Sequence, residues 1–201
     1  MSEVYLGNPN LKKANTPIEF TKENIQEFLK CKDDPVYFAN NYIKIVSLDE
    51  GLVPFRQYPF QKKLIENFHE HRFNICKMPR QTGKSTTVVS YLLHYAIFND
   101  NVNIAILANK ASTARDLLGR LQLAYENLPR WMQQGIISWN KGSLEIEMDQ
   151  KFLQTLRLHL LSEAVPIMSS FSTSSLSSRI TLLMTSLPLF ILLSLLVRKQ
   201  R

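Results

Sequence analysis

The segment "CKMPRQTGKSTTVVSYL", residues 76–92, constrains the fold more than any other stretch of this chain. Apolar "FNICKM" (73–78) reads as a short strand running into it. Beyond it, Val88, Val89, Leu92, Leu93, Ala96 and Ile97 recur at helical spacing. A strand, a short loop and a helix in that order form an anion cradle, because loop N–H groups and the helix N-terminus bring partial positive charge to one point. Gly83, Lys84 and Ser85 end the loop as a P-loop ends. Lys84 is expected to reach the β- and γ-phosphates of a nucleotide, and the Ser85 hydroxyl to hold Mg2+. The first glycine of the usual pattern falls at Met78, so this is a deviant version of the motif.

The flanking segments read as alternating elements. Residues 1–20 look extended or disordered. Thr21 caps a helix to about Cys31 with Glu23 in its first turn. Asp34 caps the next, with Pro35 in the first helical position. "GLVPFRQYPFQ" (51–61) is a turn-rich lead into a helix whose Phe60, Leu64 and Phe68 recur every four residues. "VNIAIL" (102–107) is a second strand, and Ala114, Leu117, Leu118, Leu121 and Ala124 line a second helix. "ISWNKGSLEIE" (137–147) alternates around Asn140-Lys141-Gly142 as a hairpin. Strand, helix, strand, helix predicts an α/β fold with a parallel sheet flanked by helices.

Composition adds bounds. The formal charge of +7 is compatible with a polyanionic partner. The 2 cysteines, Cys31 and Cys76, fit no metal spacing and suit a reducing compartment. The polar start with Pro9 and Pro17 reads as no signal peptide. All 6 glycines lie at or before Gly142. Residues 148–201 instead hold fourteen leucines, ten serines and only Asp149 and Glu163 as acids, which marks a boundary.

"PRQTGKST" resembles the variant phosphate loop of the large terminase subunits of tailed, T4-like bacteriophages, the ATPases that drive DNA into empty capsids. Arg80 matches an arginine in the early part of that family's loop. "DPVYFANNYIKI" is similar to the family's N-terminal helix, and "FRQYPFQKKLI" to its adenine-recognition motif. "ILANKASTARDLLGRLQLAYENLP" with "GIISWNKGSLEIE" is similar to the stretch after the family's second strand. The resemblance covers roughly residues 30–147. It implies a RecA-like (ASCE) P-loop NTPase fold, incomplete here, with ATP and Mg2+ as cofactors. It implies nucleotide contacts from Arg80, Gln81, Thr82, Gly83, Lys84, Ser85 and Thr86, with Arg80 facing the γ-phosphate. Tyr58 would stack on the base and Gln61 would hydrogen-bond its edge; the alternative for Tyr58 is a buried aromatic at the helix start. Implied partners are double-stranded DNA, the portal protein, the small terminase subunit and, for a full-length chain, further copies in a ring. The implied location is the host cytoplasm, transiently at the prohead portal, outside the virion and outside membranes. The family's nuclease domain would lie beyond this chain.

One part of the family pattern is missing. A translocating ATPase follows an apolar strand with an aspartate for magnesium and a glutamate that polarises the attacking water. Neither acid after Glu147 ends an apolar strand, so no catalytic residue is assigned. The tail has two readings. "ITLLMTSLPLFILLSLLV" (180–197) followed by "RKQR" meets the length of a membrane span, interrupted by Pro188. Alternatively, the reading frame shifts after about residue 147. GAA-AAT-GGA-TCA encodes E-N-G-S, and losing one A gives GAA-ATG-GAT-CAA, the codons of Glu147, Met148, Asp149 and Gln150. In the adjacent phase Ser169 to Ser178 permits I-F-L-D-E-F-A-F-V, which restores the acidic motif, and Leu189 to Val197 permits V-Y-P-T-I-S-S-G. The chain then divides into an N-terminal extension and helix (1–30), a partial ATPase domain (31–147) and an out-of-frame, non-native or disordered tail (148–201). Other readings are a helicase-like DNA motor, or a tail-anchored nucleotide-binding protein. The helicase reading is disfavoured by F-A-F after the restored acids.

Overall fold

The computed structural model describes residues 4–16, 21–47, 49–99, 102–108, 110–147, 155–161, 179–184 and 191–196. The fold is mixed α/β. The helices are α1 (Lys22–Asp33), α2 (Pro35–Tyr42), α3 (Pro59–Glu70), α4 (Lys84–Phe98) and α5 (Ala111–Glu126). Strands β1 (Val4–Tyr5) and β2 (Asn8–Lys12) form one hairpin, and β3 (Lys44–Ser47) and β4 (Gly51–Pro54) another. The main sheet contains β5 (Phe73–Cys76), β6 (Asn103–Ala108), β7 (Gly135–Trp139), β8 (Ser143–Glu147), β9 (Thr155–Leu161), β10 (Arg179–Met184) and β11 (Ile191–Leu196).

The helix boundaries follow from their caps. Thr21 Oγ1 accepts from Asn24 N at 3.2 Å and opens α1. Asp34 Oδ1 accepts from Tyr37 N at 2.8 Å and opens α2, while its own N–H closes α1 onto Lys30 O at 3.1 Å. α4 is the central helix: it packs against α2, α3 and α5, and every residue from Thr87 to Phe98 is buried. Its buried stretch is mostly apolar, and the polar side chains it buries, Thr87, Ser90 and His94, bond to the main-chain carbonyls of Gly83, Thr87 and Cys31.

The sheet is mixed, where a parallel one was expected. Its order is β5-β11-β10-β6-β9-β8-β7. β6 pairs in parallel with β9 and β10, and the remaining pairings are antiparallel. The loop-bearing strand β5 and the second strand β6 are therefore separated by two others. Both intervening strands, like β9, lie within residues 148–201. Met184 pairs with Ile191 in an antiparallel ladder, so 180–184 and 191–196 are strands, while 185–190 and 197 of the proposed span lie outside the described residues. Among the described residues no helix is long and apolar enough to cross a membrane.

The N-terminal residues also differ from expectation. They are extended, but as a docked hairpin: Leu11 is buried, Lys13 bridges to Ile136, and Ala14 N donates to Ile136 O at 3.2 Å. Gly135 permits the approach, because a Cβ there would lie 2.7 Å from Ala14 Cα. Part of the turn-rich 51–61 stretch is strand β4. Ile45 and Val46 face Val53 and Leu52 across the ladder, and the turn uses Gly51 at φ +73°. The Asn140-Lys141-Gly142 hairpin is present, with Asn140 Oδ1 accepting from Gly142 N at 2.8 Å and Ser143 N at 2.7 Å.

Candidate nucleotide-binding site

β5 delivers the chain into a loop that ends at the N-terminus of α4. Gln81 has φ +62° and Gly83 φ +73°, and such left-handed turns aim successive N–H groups into one concavity. Gly83 caps α4 without a side-chain hydrogen bond, so the first-turn N–H groups have no side-chain acceptor. Lys84 Nζ donates to Met78 O at 2.8 Å and Pro79 O at 2.7 Å, which holds the ammonium across the mouth of the loop. Thr82 Oγ1 donates to Pro79 O at 3.0 Å and tightens the same turn. Met78 is not among the residues with positive φ, which is why a side chain is accepted where the usual motif has glycine.

The other loop residues fall into two groups. Arg80 and Gln81 are exposed; Ser85 and Thr86 are half-buried in the first turn of α4. A cleft of about 630 Å³ runs from Gln81, Thr82, Gly83 and Thr86 to Tyr58, Phe60 and Gln61. Tyr58 is 65% exposed and lies parallel to Phe60 at 5.8 Å, so the buried-aromatic alternative is set aside. Gln61 is buried, and both ends of its amide have main-chain partners. Its Oε1 accepts from Tyr58 N at 2.9 Å and its Nε2 donates to Thr82 O at 3.3 Å. Of the residues singled out from sequence, Tyr58, Gln61, Gln81, Thr82, Gly83 and Thr86 line this cleft, whereas Arg80, Lys84 and Ser85 are not among its lining residues.

Some lining residues were not anticipated. Ile45, Glu50 and Val53 come from the β3–β4 hairpin, and Arg56 precedes the aromatic pair. Alternation on either side of Gly51 was the available signal. Gln57 also escaped notice: among the described residues neither its Oε1 nor its Nε2 has a partner although both atoms are buried. The two thiols contribute no reactive group. Burial pushes the Cys31 thiol up to about 12 and raises that of Cys76, with the Lys84 ammonium partly opposing the latter shift. No cluster of His, Cys, Asp or Glu able to hold a metal occurs among the described residues. A magnesium ion would take the Ser85 hydroxyl and phosphate oxygens, a donor set consistent with a hard cation.

No family model matches the chain. Among solved structures it is similar to the large terminase of bacteriophage HK97, at 18% identity and a TM-score of 0.49, over 75% of this chain and 30% of that one. The chain therefore spans 30% of the length of that protein.

Proposed function

We propose that this chain is the ATP-binding N-terminal segment of a terminase-like DNA-packaging ATPase and that, as it stands, it binds nucleotide without turning it over. The observation that carries the reading is the loop itself: Lys84 Nζ within 2.8 Å of the Met78 and Pro79 carbonyls, beside an uncapped helix start. A triphosphate offers stronger acceptors to that ammonium than two neutral carbonyls do. Ser85 would supply its hydroxyl to Mg2+, and the cleft continues to an exposed aromatic pair of the kind a purine stacks upon. The ordered resemblance of residues 30–147 to large terminase subunits supplies the substrate class and the packaging role. Double-stranded DNA, portal and small-subunit contacts, assembly into a ring and action in the host cytoplasm belong to the same proposal.

Catalysis needs a carboxylate to orient the attacking water. We assign that acid to the alternative frame over residues 169–178, and attribute the tail to a shift near residue 147. Two measurements test the whole. Mg·ATP titrated into the purified chain is expected to bind, and Lys84→Ala to remove that binding, with no steady-state phosphate release from either. Sustained hydrolysis that depends on Lys84 would refute the missing-acid argument. The gene sequence around codon 147 decides the frame: bases unable to spell Gly-Ser and then Asp-Glu in the adjacent phase would overturn that part.

A further inference from the structure

The resemblance assigns Gln61 to the base, yet in the structure its amide is committed to the phosphate loop. Gln61 is 3% exposed. Its Nε2 reaches Thr82 O, 21 positions along the chain, and its Oε1 receives the Tyr58 N–H. Gly83 leaves just enough room, for a Cβ at that position would lie 2.5 Å from Gln61 Nε2. The carbonyl that Gln61 grips sits between the two left-handed residues, Gln81 and Gly83. A non-glycine residue at φ +62° carries strain and persists only where surrounding contacts hold it. The turn has three such ties, from Lys84, Thr82 and Gln61. Lys84 is the group that must leave its carbonyls to meet phosphate. Gln61 is then the tie from outside the loop that keeps the N–H groups aimed.

From this we infer that Gln61 is a positioning residue for phosphate: it acts through Thr82 on the loop, independently of which base is bound. The inference rests on the proposed nucleotide site and deepens it. It separates two roles that the adenine motif combines, with Tyr58 and Phe60 offering the stacking surface and Gln61 setting the loop.

The test uses the complete chain and three probes: Mg·tripolyphosphate, which has no base, Mg·ATP and Mg·GTP. Gln61→Glu keeps the acceptor for Tyr58 N–H but, when ionised, cannot donate to Thr82 O. It is expected to weaken all three probes by a common factor of about tenfold at pH 8.5, the scale of leaving one buried acceptor unpaired. Protonation of the new carboxyl restores a donor, so the deficit relative to wild type should shrink as the pH is lowered into the carboxyl range. Gly83→Ala, which presses on the same amide from the loop side, should also weaken the three probes equally. The inference is overturned if Gln61→Glu weakens ATP while tripolyphosphate binding is unchanged, or if neither variant alters tripolyphosphate binding. Failure of the underlying site reads differently: wild type would then bind no probe, or Lys84→Ala would bind tripolyphosphate as wild type does.

Discussion

The two ends of α4 do opposite things with the same helix. At the N-terminal end the backbone is turned left-handed twice, the cap has no side-chain hydrogen bond, and Lys84 donates to two carbonyls. At the C-terminal end His94 and Phe98 are packed against Phe38 and Phe28, with ring centroids 4.8 to 5.5 Å apart. The open end has polar groups able to exchange one partner for another. At the closed end the polar side chains, Tyr91, His94 and Asn99, are each bonded to a main-chain carbonyl, of Phe68, Cys31 and Tyr95. A loop can be adjustable only if its helix is not, and the aromatic cluster is what fixes it.

Removing part of that cluster should produce the largest effect. Phe98→Ala deletes a ring that contacts Phe28, Phe38 and His94, and is expected to cost about 3–5 kcal/mol of folding stability. Chemical denaturation reads it directly. Its relation to the open end is the sharper point: under conditions where the variant remains folded, nucleotide affinity should barely change.

Acid should break the closed end next. Burial, the dominant cause, holds the His94 imidazole at about 4, against partial opposition from its bond to Cys31 O; nearby His69 lowers it further and Asp34 raises it. Its Nε2 donates to Cys31 O at 2.8 Å, while Nδ1 is buried with no partner among the described residues. The unfolded chain takes up a proton near pH 6.5 and the folded chain only near pH 4. Stability from this group is thus complete above pH 6.5, falls as pH drops through the interval, and levels off below about 4, for a total of roughly 3 kcal/mol. His94→Gln keeps a donor for Cys31 O and removes the titration. It should flatten the slope of melting temperature against pH over that range; an unchanged slope would assign the acid sensitivity elsewhere.

Lys84→Ala tests the open end alone. Loss of a charge-assisted contact to phosphate predicts about a 100-fold drop in Mg·ATP affinity, close to 3 kcal/mol. Thermal stability should move little, because the bonds lost are two contacts within an exposed turn. A large fall in melting temperature would mean the two ends are coupled, contrary to the comparison.

The closed and open ends were unequally legible in the sequence. The loop was readable because its chemistry is local: Gly83, Lys84 and Ser85 are adjacent, and strand and helix periodicity flank them. Capping by Thr21 and Asp34 was readable for the same reason. What lay beyond reach was pairing between distant segments. Lys13 bridging to Ile136, the β3–β4 hairpin over the cleft, and two tail strands between β5 and β6 depend on which edges meet in space. Periodicity is silent on that. Gln61 illustrates the limit most plainly. Its place in "YPFQ" identified it as part of the site, but spacing along α3 could not disclose that its amide reaches Thr82 O.

The smallest effect should come from Asp34, and it bears on how the closed end is built. One residue ends α1 and begins α2: its N–H closes onto Lys30 O, and its carboxylate receives Tyr37 N–H. α2 then carries Phe38 against His94 and Phe98. Asp34→Ala keeps the backbone closure and removes the side-chain cap, so about 1 kcal/mol is expected, seen as a fall of a few degrees in melting temperature. Because Asp34 is also one of the charges that raise the His94 imidazole, the variant should lower that group further and steepen the acid-induced loss. A cap that acted only on α2 would shift the stability curve uniformly with pH. A cap that also steadies the histidine's proton should shift it more at pH 5 than at pH 8, and that difference separates the two roles.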